Sequence, residues 1–417
     1  MAFDLSAASN VLKVRYIGPI REQLNGSTVL MSRIMREDNA TNVSGKTFTV
    51  PLHTQRNLAA GIGRGDGGTL PTAGQQGYQT AVIPNKYQYG RIKVTGPTIR
   101  AARDNAGAFV TAVESEIKGV TRDFKKGFNR QLHSDGRDAL AYWTSADDIT
   151  PEQVDDNRGN QFIHLPLGQT VTVDVIDVTD NATILGNSIP ALAVNNAGVL
   201  EVGWASGTVA GTADGDYAVL EDTLGYQLMG IAGIIDDGDP VVPAGGGTLT
   251  GLHGLAVATY PWWKAQVVEG DTAGTNQALT LARMQKPLDL IATNSDFGEE
   301  DVKFLLCSYG VRAKYYDLLV SEKRFVNTLK LDGGFSGLDF SGKPLIPDPQ
   351  CRKNRIYYVV PESLRVFRTS DFDWMDKDGA VLNRVANEDA YEAVIFHYGD
   401  LGTTARNANG LLDDISE

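Results

Sequence analysis

Residues 46–136 hold the arrangement that most restricts the fold: a long glycine-tipped hairpin followed at once by one unusually long amphipathic helix. The first arm, residues 46–53, alternates polar and apolar as a half-buried strand does, with Phe48, Val50 and Leu52 sharing a face. The tip, residues 56–79, contains Gly61, Gly63, Gly65, Gly67, Gly68, Gly74 and Gly77. The return arm, residues 80–95, is rich in β-branched and aromatic residues, among them Val82, Ile83, Tyr87, Tyr89, Ile92 and Val94. Two strands alone are marginal in water. A projecting ribbon of this length therefore implies a neighbour, most simply another copy of the chain. Phe48, Val50, Leu52, Val82, Ile83, Tyr87 and Tyr89 are the residues expected at that inter-subunit contact.

The helix is the clearest periodic element. Phe109, Val113, Ile117, Val120, Phe124, Phe128 and Leu132 follow one another in steps of 4, 4, 3, 4, 4 and 4, the spacing of an apolar helical stripe. Asp104 or Asn105 can cap its start and Gly136 supplies a stop. About 30 residues at ~1.5 Å rise make a rod of roughly 45 Å. Glu114 and Glu116 stand toward its start, with Lys118, Arg122, Lys125, Lys126 and Arg130 toward its end, an order that suits the helix dipole. The basic residues read first as a solvated face, since the acidic residues interrupt any phosphate-binding stripe.

A chain of 417 residues can bury a large core. No apolar run is long enough to cross a bilayer, and the first residues lack the basic region and apolar stretch of a secretory signal, which fits cytoplasmic synthesis. Cys307 and Cys351 are the only cysteines, so there is neither a disulfide framework nor metal-type spacing. The net charge of -13 is unevenly spread. From Gly159 to Trp263 there is no Lys or Arg, while 11 Asp and Glu fall in the same stretch. Such a composition change marks a separate module.

Within that module short alternating runs recur at 171–175, 199–202, 217–220 and 229–231, separated by turn residues, as in a small β-sandwich or barrel. Beyond Lys264 the pattern turns mixed. Helices are expected over 276–292, with Leu281, Met284, Leu288 and Ile291 on one face and Pro287 as a kink, and over 311–325. Strands are expected over 304–307, 343–347, 356–360 and 390–398.

Catalytic constellations do not form. Gly61-Ile62-Gly63-Arg64-Gly65 lacks the Gly-Lys-Ser/Thr ending and opens no helix, so it reads as a flexible loop. His53, His133, His164, His253 and His397 are never three or four apart, which denies a helical metal pair. His397, between Phe396 and Tyr398, reads as a structurally satisfied histidine. Ser336 lacks the glycine two residues on that a nucleophile elbow needs. Cys307 sits in an apolar strand and reads as inert. Asp371, Asp373, Asp376 and Asp378 precede Gly379, but Trp374 and Val385 stand where a calcium loop needs oxygen ligands. The cluster reads as a turn. No cofactor and no metal are expected, and no basic block exceeds Lys125-Lys126, so sequence-specific nucleic-acid binding is not expected either.

The order of elements resembles the major capsid proteins of tailed bacteriophages. Local sequence is also similar to phage capsid chains at residues 259–265, 373–379 and 389–393. The resemblance implies an α+β fold with an N-terminal arm (1–37), an extended loop (38–95) and a peripheral domain with a spine helix (96–158 and 370–400). An inserted acidic β-rich domain (159–258) and an axial domain (259–369 and 401–417) complete it. It implies a structural subunit, not an enzyme, that self-assembles into pentamers and hexamers of an icosahedral shell around double-stranded DNA. Portal, scaffold and decoration proteins would be partners, the virion capsid its location and the host bacterial cytoplasm its place of assembly. An encapsulin-like compartment shell shares the fold, and a soluble enzyme with an appended β domain is the alternative from another class. Having no positive charge, the insertion is expected on the outer face, removable as residues 160–255.

Overall fold

The computed structural model describes residues 28–34, 40–42, 47–97, 106–142, 152–153, 170–196, 199–204, 211–240, 251–270, 275–321, 328–330, 336–376 and 382–417. The expected N-terminal arm, the Asp104 or Asn105 cap, His164, Asp378 and Gly379 lie largely or wholly outside them. Within 28–34, Val29–Ile34 is a helix whose Leu30 and Ile34 are buried in the main core.

Among the described residues the strands form four sheets. A seven-stranded mixed sheet runs in the order Gln266–Val268, Gly410–Leu412, Ile356–Val359, Phe304–Cys307, Lys343–Pro347, Ser336–Phe340, Thr328–Lys330. Phe304–Cys307 is buried throughout, as its unbroken apolar run requires of a central strand. Helices Leu281–Asn294 and Tyr309–Ser321 flank this sheet, with Met284, Leu288, Ile291, Val311 and Tyr315 in one core with Leu305 and Tyr358. The first helix starts at Leu281, five residues later than expected. The Thr280 side chain accepts the Arg283 N–H at 3.2 Å, capping it there. Upstream, the Gln277 N–H already donates to the Asp414 carbonyl at 2.7 Å.

A second sheet has the long strand Ala390–Thr403 at its centre. Leu364–Trp374 pairs along one side of it and Lys86–Thr95 along the other, both antiparallel, with Asn383–Arg384 and Ala40–Asn42 completing the sheet. The long helix, Ala106–His133, lies against the Lys86–Thr95 strand and ends before Gly136, whose φ of 95° closes the element. Gly90 permits the close approach: a Cβ there would stand 2.8 Å from Ile395 and 3.2 Å from the Phe124 ring.

The hairpin and the acidic module depart from expectation. The return arm of the hairpin is two strands, Gly77–Pro84 and Lys86–Thr95, and only the first pairs with Thr47–Gln55. At Asn85 the chain leaves the hairpin and joins the sheet of Ala390–Thr403. Among the described residues the acidic module is one open antiparallel six-stranded sheet, neither sandwich nor barrel, with Ala141–Tyr142 and Glu152–Gln153 at its edges. Leu228, Ile231, Ile234, Leu252, Leu255 and Trp263 instead belong to the main core, and the expected strand at 229–231 opens a short helix, Ile231–Ile234. Removing 160–255 would thus cut into that core.

Buried polar groups tie these parts together. Arg406, fully enclosed, donates to the carbonyls of Ile234 (2.9 Å), Trp263 (3.0 Å), Gly233 (3.3 Å) and Gly238 (2.6 Å). Burial pushes its guanidinium down to about 10. Asp135, at the end of the long helix, takes Arg137 at 2.6 Å and Arg352 at 3.1 Å. Burial raises its carboxyl, but the two guanidinium groups outweigh that and hold it well below the usual carboxylate range. Arg137 also lies over the rings of Tyr142 and Tyr217, fastening the acidic sheet to the helix end.

Candidate assembly interface

The hairpin has two unlike ends. At its root Phe48 stacks on Phe367 with ring centroids 5.8 Å apart, and Ile83 completes that cluster. Leu52 and Ala81 enter the main core, and the Val82 N–H donates to the His253 carbonyl at 2.8 Å. Phe48, Leu52 and Ile83 are therefore buried in their own chain, contrary to the expectation of a neighbour's surface. Val50 and Val82 are half-buried. The physical reason is that the root crosses the body of the molecule, which the alternating pattern alone does not reveal.

Beyond Gln55 the ribbon has no such support. Leu58 is 83 % exposed and Leu70 84 % exposed, with Ile62 also open to solvent. Local hydrogen bonds shape this tip. The Asn57 side chain donates to the Gly74 carbonyl at 3.1 Å and accepts the Ala59 N–H at 2.9 Å. The Arg64 Nε donates to the Thr69 carbonyl at 3.1 Å. Gly61 and Gly67 have φ values of 73° and 72°, which favour glycine. A Cβ at Gly74 would stand 2.3 Å from the Asn57 Oδ1.

A groove of about 1080 Å³ opens at the root. Its walls are the strand Lys86–Thr95, the long helix and residues 220–227, and Thr47, Val82 and Pro84 border it. Val120, Phe124 and Phe128 give it an apolar lining, while Tyr87, Tyr89 and Tyr226 are each at least half exposed. The first two meet Tyr398 edge-on at 5.2 and 5.8 Å. The 220–228 wall is stitched in place. Lys86 Nζ donates to the Gly225 carbonyl at 2.6 Å, Gln88 to Tyr226 at 3.1 Å, and the Leu228 N–H to Gln131 at 3.1 Å. Arg130 holds Asp138 through two hydrogen bonds of 3.1 and 2.7 Å.

Two titratable groups lie buried by the groove. Asp400 accepts the Met229 and Leu401 N–H groups at 2.8 and 2.9 Å; burial pushes its carboxyl up to about 7, with Lys86 partly offsetting. His397 is fully enclosed between Phe128 and Phe372, ring centroids 4.8 Å from each. Neither ring nitrogen has a hydrogen-bond partner among the described residues, so the expectation of a satisfied histidine is corrected. Burial pushes it down to about 4.

The remaining sequence candidates do not converge. Both cysteine thiols are buried and pushed up by burial. Ser336 starts a strand, paired with Lys330. Asp371 pairs with Arg368 at 2.5 Å. His53 bonds Gln76 at 2.7 Å and His133 bonds Asp348 at 3.0 Å. Among the described residues no group of three His, Cys, Asp or Glu is placed to hold a metal ion, and no helix is long and apolar enough to cross a membrane. The groove, Asp400 and Arg406 had no sequence signal: each depends on segments more than a hundred residues apart.

No family model matches the sequence, and no curated protein does. Solved structures match over the whole chain. The capsid of cyanophage A-1(L) superposes with a TM-score of 0.59 at 15% identity, covering 100% of this chain and 99% of that one. This chain has the fold of tailed-phage capsid proteins. The capsid of a native GTA particle gives 0.53 at 10% identity, covering 100% and 99%. The SrpI encapsulin complex from Synechococcus elongatus gives 0.50 at 9%, covering 100% and 97%. The capsid fold thus joins an extended hairpin, a long helix with its sheet, and a seven-stranded sheet in one subunit.

Proposed function

We propose that this protein is the major capsid protein of a tailed bacteriophage, a structural subunit that assembles into pentamers and hexamers of an icosahedral shell around packaged double-stranded DNA. The carrying observation is the hairpin, whose root is packed in its own chain while Leu58 and Leu70 at the tip remain over four-fifths exposed. Apolar side chains held so far out are open to a partner surface, and the likeness to capsid shells supports another copy as that partner. Each tip lies across a neighbour. Contacts that are weak singly hold a closed shell by their number. The chain's net charge of -13 keeps the lattice from gripping DNA, so genome contact is loose and without sequence preference. The acidic sheet faces outward, and portal, scaffold and decoration proteins complete the particle. The likeness to the SrpI encapsulin favours one other reading, a compartment shell holding protein cargo.

Electron microscopy of the protein expressed alone tests the assignment. Closed shells or capsomer rings are the expected result, and a monomer at every concentration would overturn it. Within assembled particles from the native source, DNA supports the phage reading and a packaged protein supports the compartment.

A further inference from the structure

The long helix, Ala106–His133, turns its apolar row to the sheet, where Phe124 and Phe128 meet the Phe372 ring edge-on at 5.6 and 5.1 Å. A second row stands on the side turned away from that contact. Lys118, Arg122, Lys125 and Lys126 follow one another at i, i+4, i+7 and i+8, which brings them to one face. Lys118 and Lys125 are exposed, Arg122 and Lys126 half-buried. The continuation of the row, Asn129 and His133, is covered. Asn129 Oδ1 accepts the Met31 N–H at 2.8 Å, and His133 bonds Asp348 at 3.0 Å. The body of the subunit thus closes one end of the stripe and leaves about 12 Å of it open, at ~1.5 Å per residue.

In sequence the acidic residues interrupt the bases, but in the fold they part from them. Glu116 and Asp123, seven apart, share another flank of the helix, and Asp123 lines the groove with Gly127. Arg130 turns to the same groove, where it holds Asp138. Asp123 is the one acid between residues 117 and 134. Burial holds the Lys126 ammonium below the usual lysine range, with Asp123 offsetting part of this and Arg130 adding to it, so an anion beside Lys126 would be welcome. Gly119, three residues before Arg122, has open space where a Cβ would stand, which lets a ligand come close to the helix backbone.

We propose that this stripe is where the subunit touches double-stranded DNA, through the phosphate backbone alone; this deepens the phage reading and rests on it. A chain of net charge -13 meets a polyanion best where its local charge is reversed, and these four residues make the reversal. A duplex carries one charge per ~1.7 Å of axis, or about seven phosphates over the open length. Phosphate contacts carry no sequence information. Four cations bind weakly, so many subunits together hold the genome without pinning any one stretch of it.

Fluorescence anisotropy of two unrelated duplexes of ~20 base pairs, titrated with the full-length unassembled subunit, tests the stripe. Both should bind alike, and log K should fall with log salt at a slope of about -3.5, as four phosphate contacts require. Lys118→Glu with Lys125→Glu should weaken binding at least roughly tenfold. The unfolding midpoint should stay unchanged, since both side chains are exposed. Reversing two exposed lysines elsewhere, Lys264→Glu with Lys286→Glu, should weaken binding less than about threefold. Equal losses from the two pairs would reduce the effect to overall charge and overturn the proposal, as would a slope near zero. Tighter binding of poly-glutamate than of DNA would overturn it too, giving the stripe to an acidic protein. These outcomes strike the stripe alone, whereas protein cargo in native particles would strike the phage reading.

Discussion

The root and the tip of the hairpin belong to one projecting element, the root a strand pair and the tip a glycine-rich loop, and their surroundings differ completely. Phe48 and Ile83 at the root are enclosed by their own chain, while Leu58 and Leu70 at the tip face solvent. A strand pair is stable where its apolar face meets a surface. Here the chain supplies that surface for half the ribbon only. The root belongs to the folding of the subunit and the tip to its association, so substitutions should separate stability from assembly along a single element.

The largest effect should come from the root. Phe48→Ala removes a fully buried ring from the contact with Phe367 and is expected to cost about 3–5 kcal/mol of subunit stability. Urea unfolding of the unassembled subunit measures this. A loss below about 1 kcal/mol would mean that the root is no better anchored than the tip.

Acid should act next, and again at the root's end of the molecule. His397 is held neutral down to about pH 4, against an ordinary value of 6.5. The unfolded chain takes up that proton first, so stability falls as pH drops from about 6.5 toward 4, by up to roughly 3 kcal/mol. His397→Phe should flatten this slope, and an unchanged slope in the variant would exonerate the imidazole. Asp400 has the opposite sign. Its proton is retained to about pH 7 in the folded state, so its contribution is present at low pH and is lost as pH rises from about 4 through 7. Asp400→Asn should therefore stabilise the subunit more at pH 8 than at pH 5, read from the difference in unfolding midpoints.

The smallest effect on stability belongs to the tip. Leu58→Ser with Leu70→Ser should leave subunit unfolding within about 0.5 kcal/mol, since neither side chain is packed. Shell yield should nevertheless collapse. Shells in normal amount from this variant would deny the tip its part in association.

The same contrast explains what could be read from the sequence. The long helix was legible because its 4-and-3 spacing is a local property, and Phe304–Cys307 because a short unbroken apolar run suits a central strand. The split at Asn85 was not legible. Val82, Ile83, Tyr87 and Tyr89 continue one strand-like pattern across it, and only the pairing with Ala390–Thr403 breaks the ribbon there. The insertion's limits were misplaced because absence of Lys and Arg records charge, whereas Leu228, Leu252 and Trp263 are uncharged residues of the main core. His397 was misjudged because its neighbours in sequence say nothing about Phe128 and Phe372, which enclose it. The groove was out of reach for the same reason. It is made by a strand, a helix and a loop that meet only in the folded chain.

The most direct test replaces residues 57–75 by a two-residue Asn-Gly turn, leaving both strands of the root in place, and compares sedimentation velocity with the unmodified protein. A folded subunit with an unchanged unfolding midpoint and no particles larger than a capsomer is the outcome expected. Complete shells formed without the tip would contradict the division of one ribbon into a folding half and an assembling half.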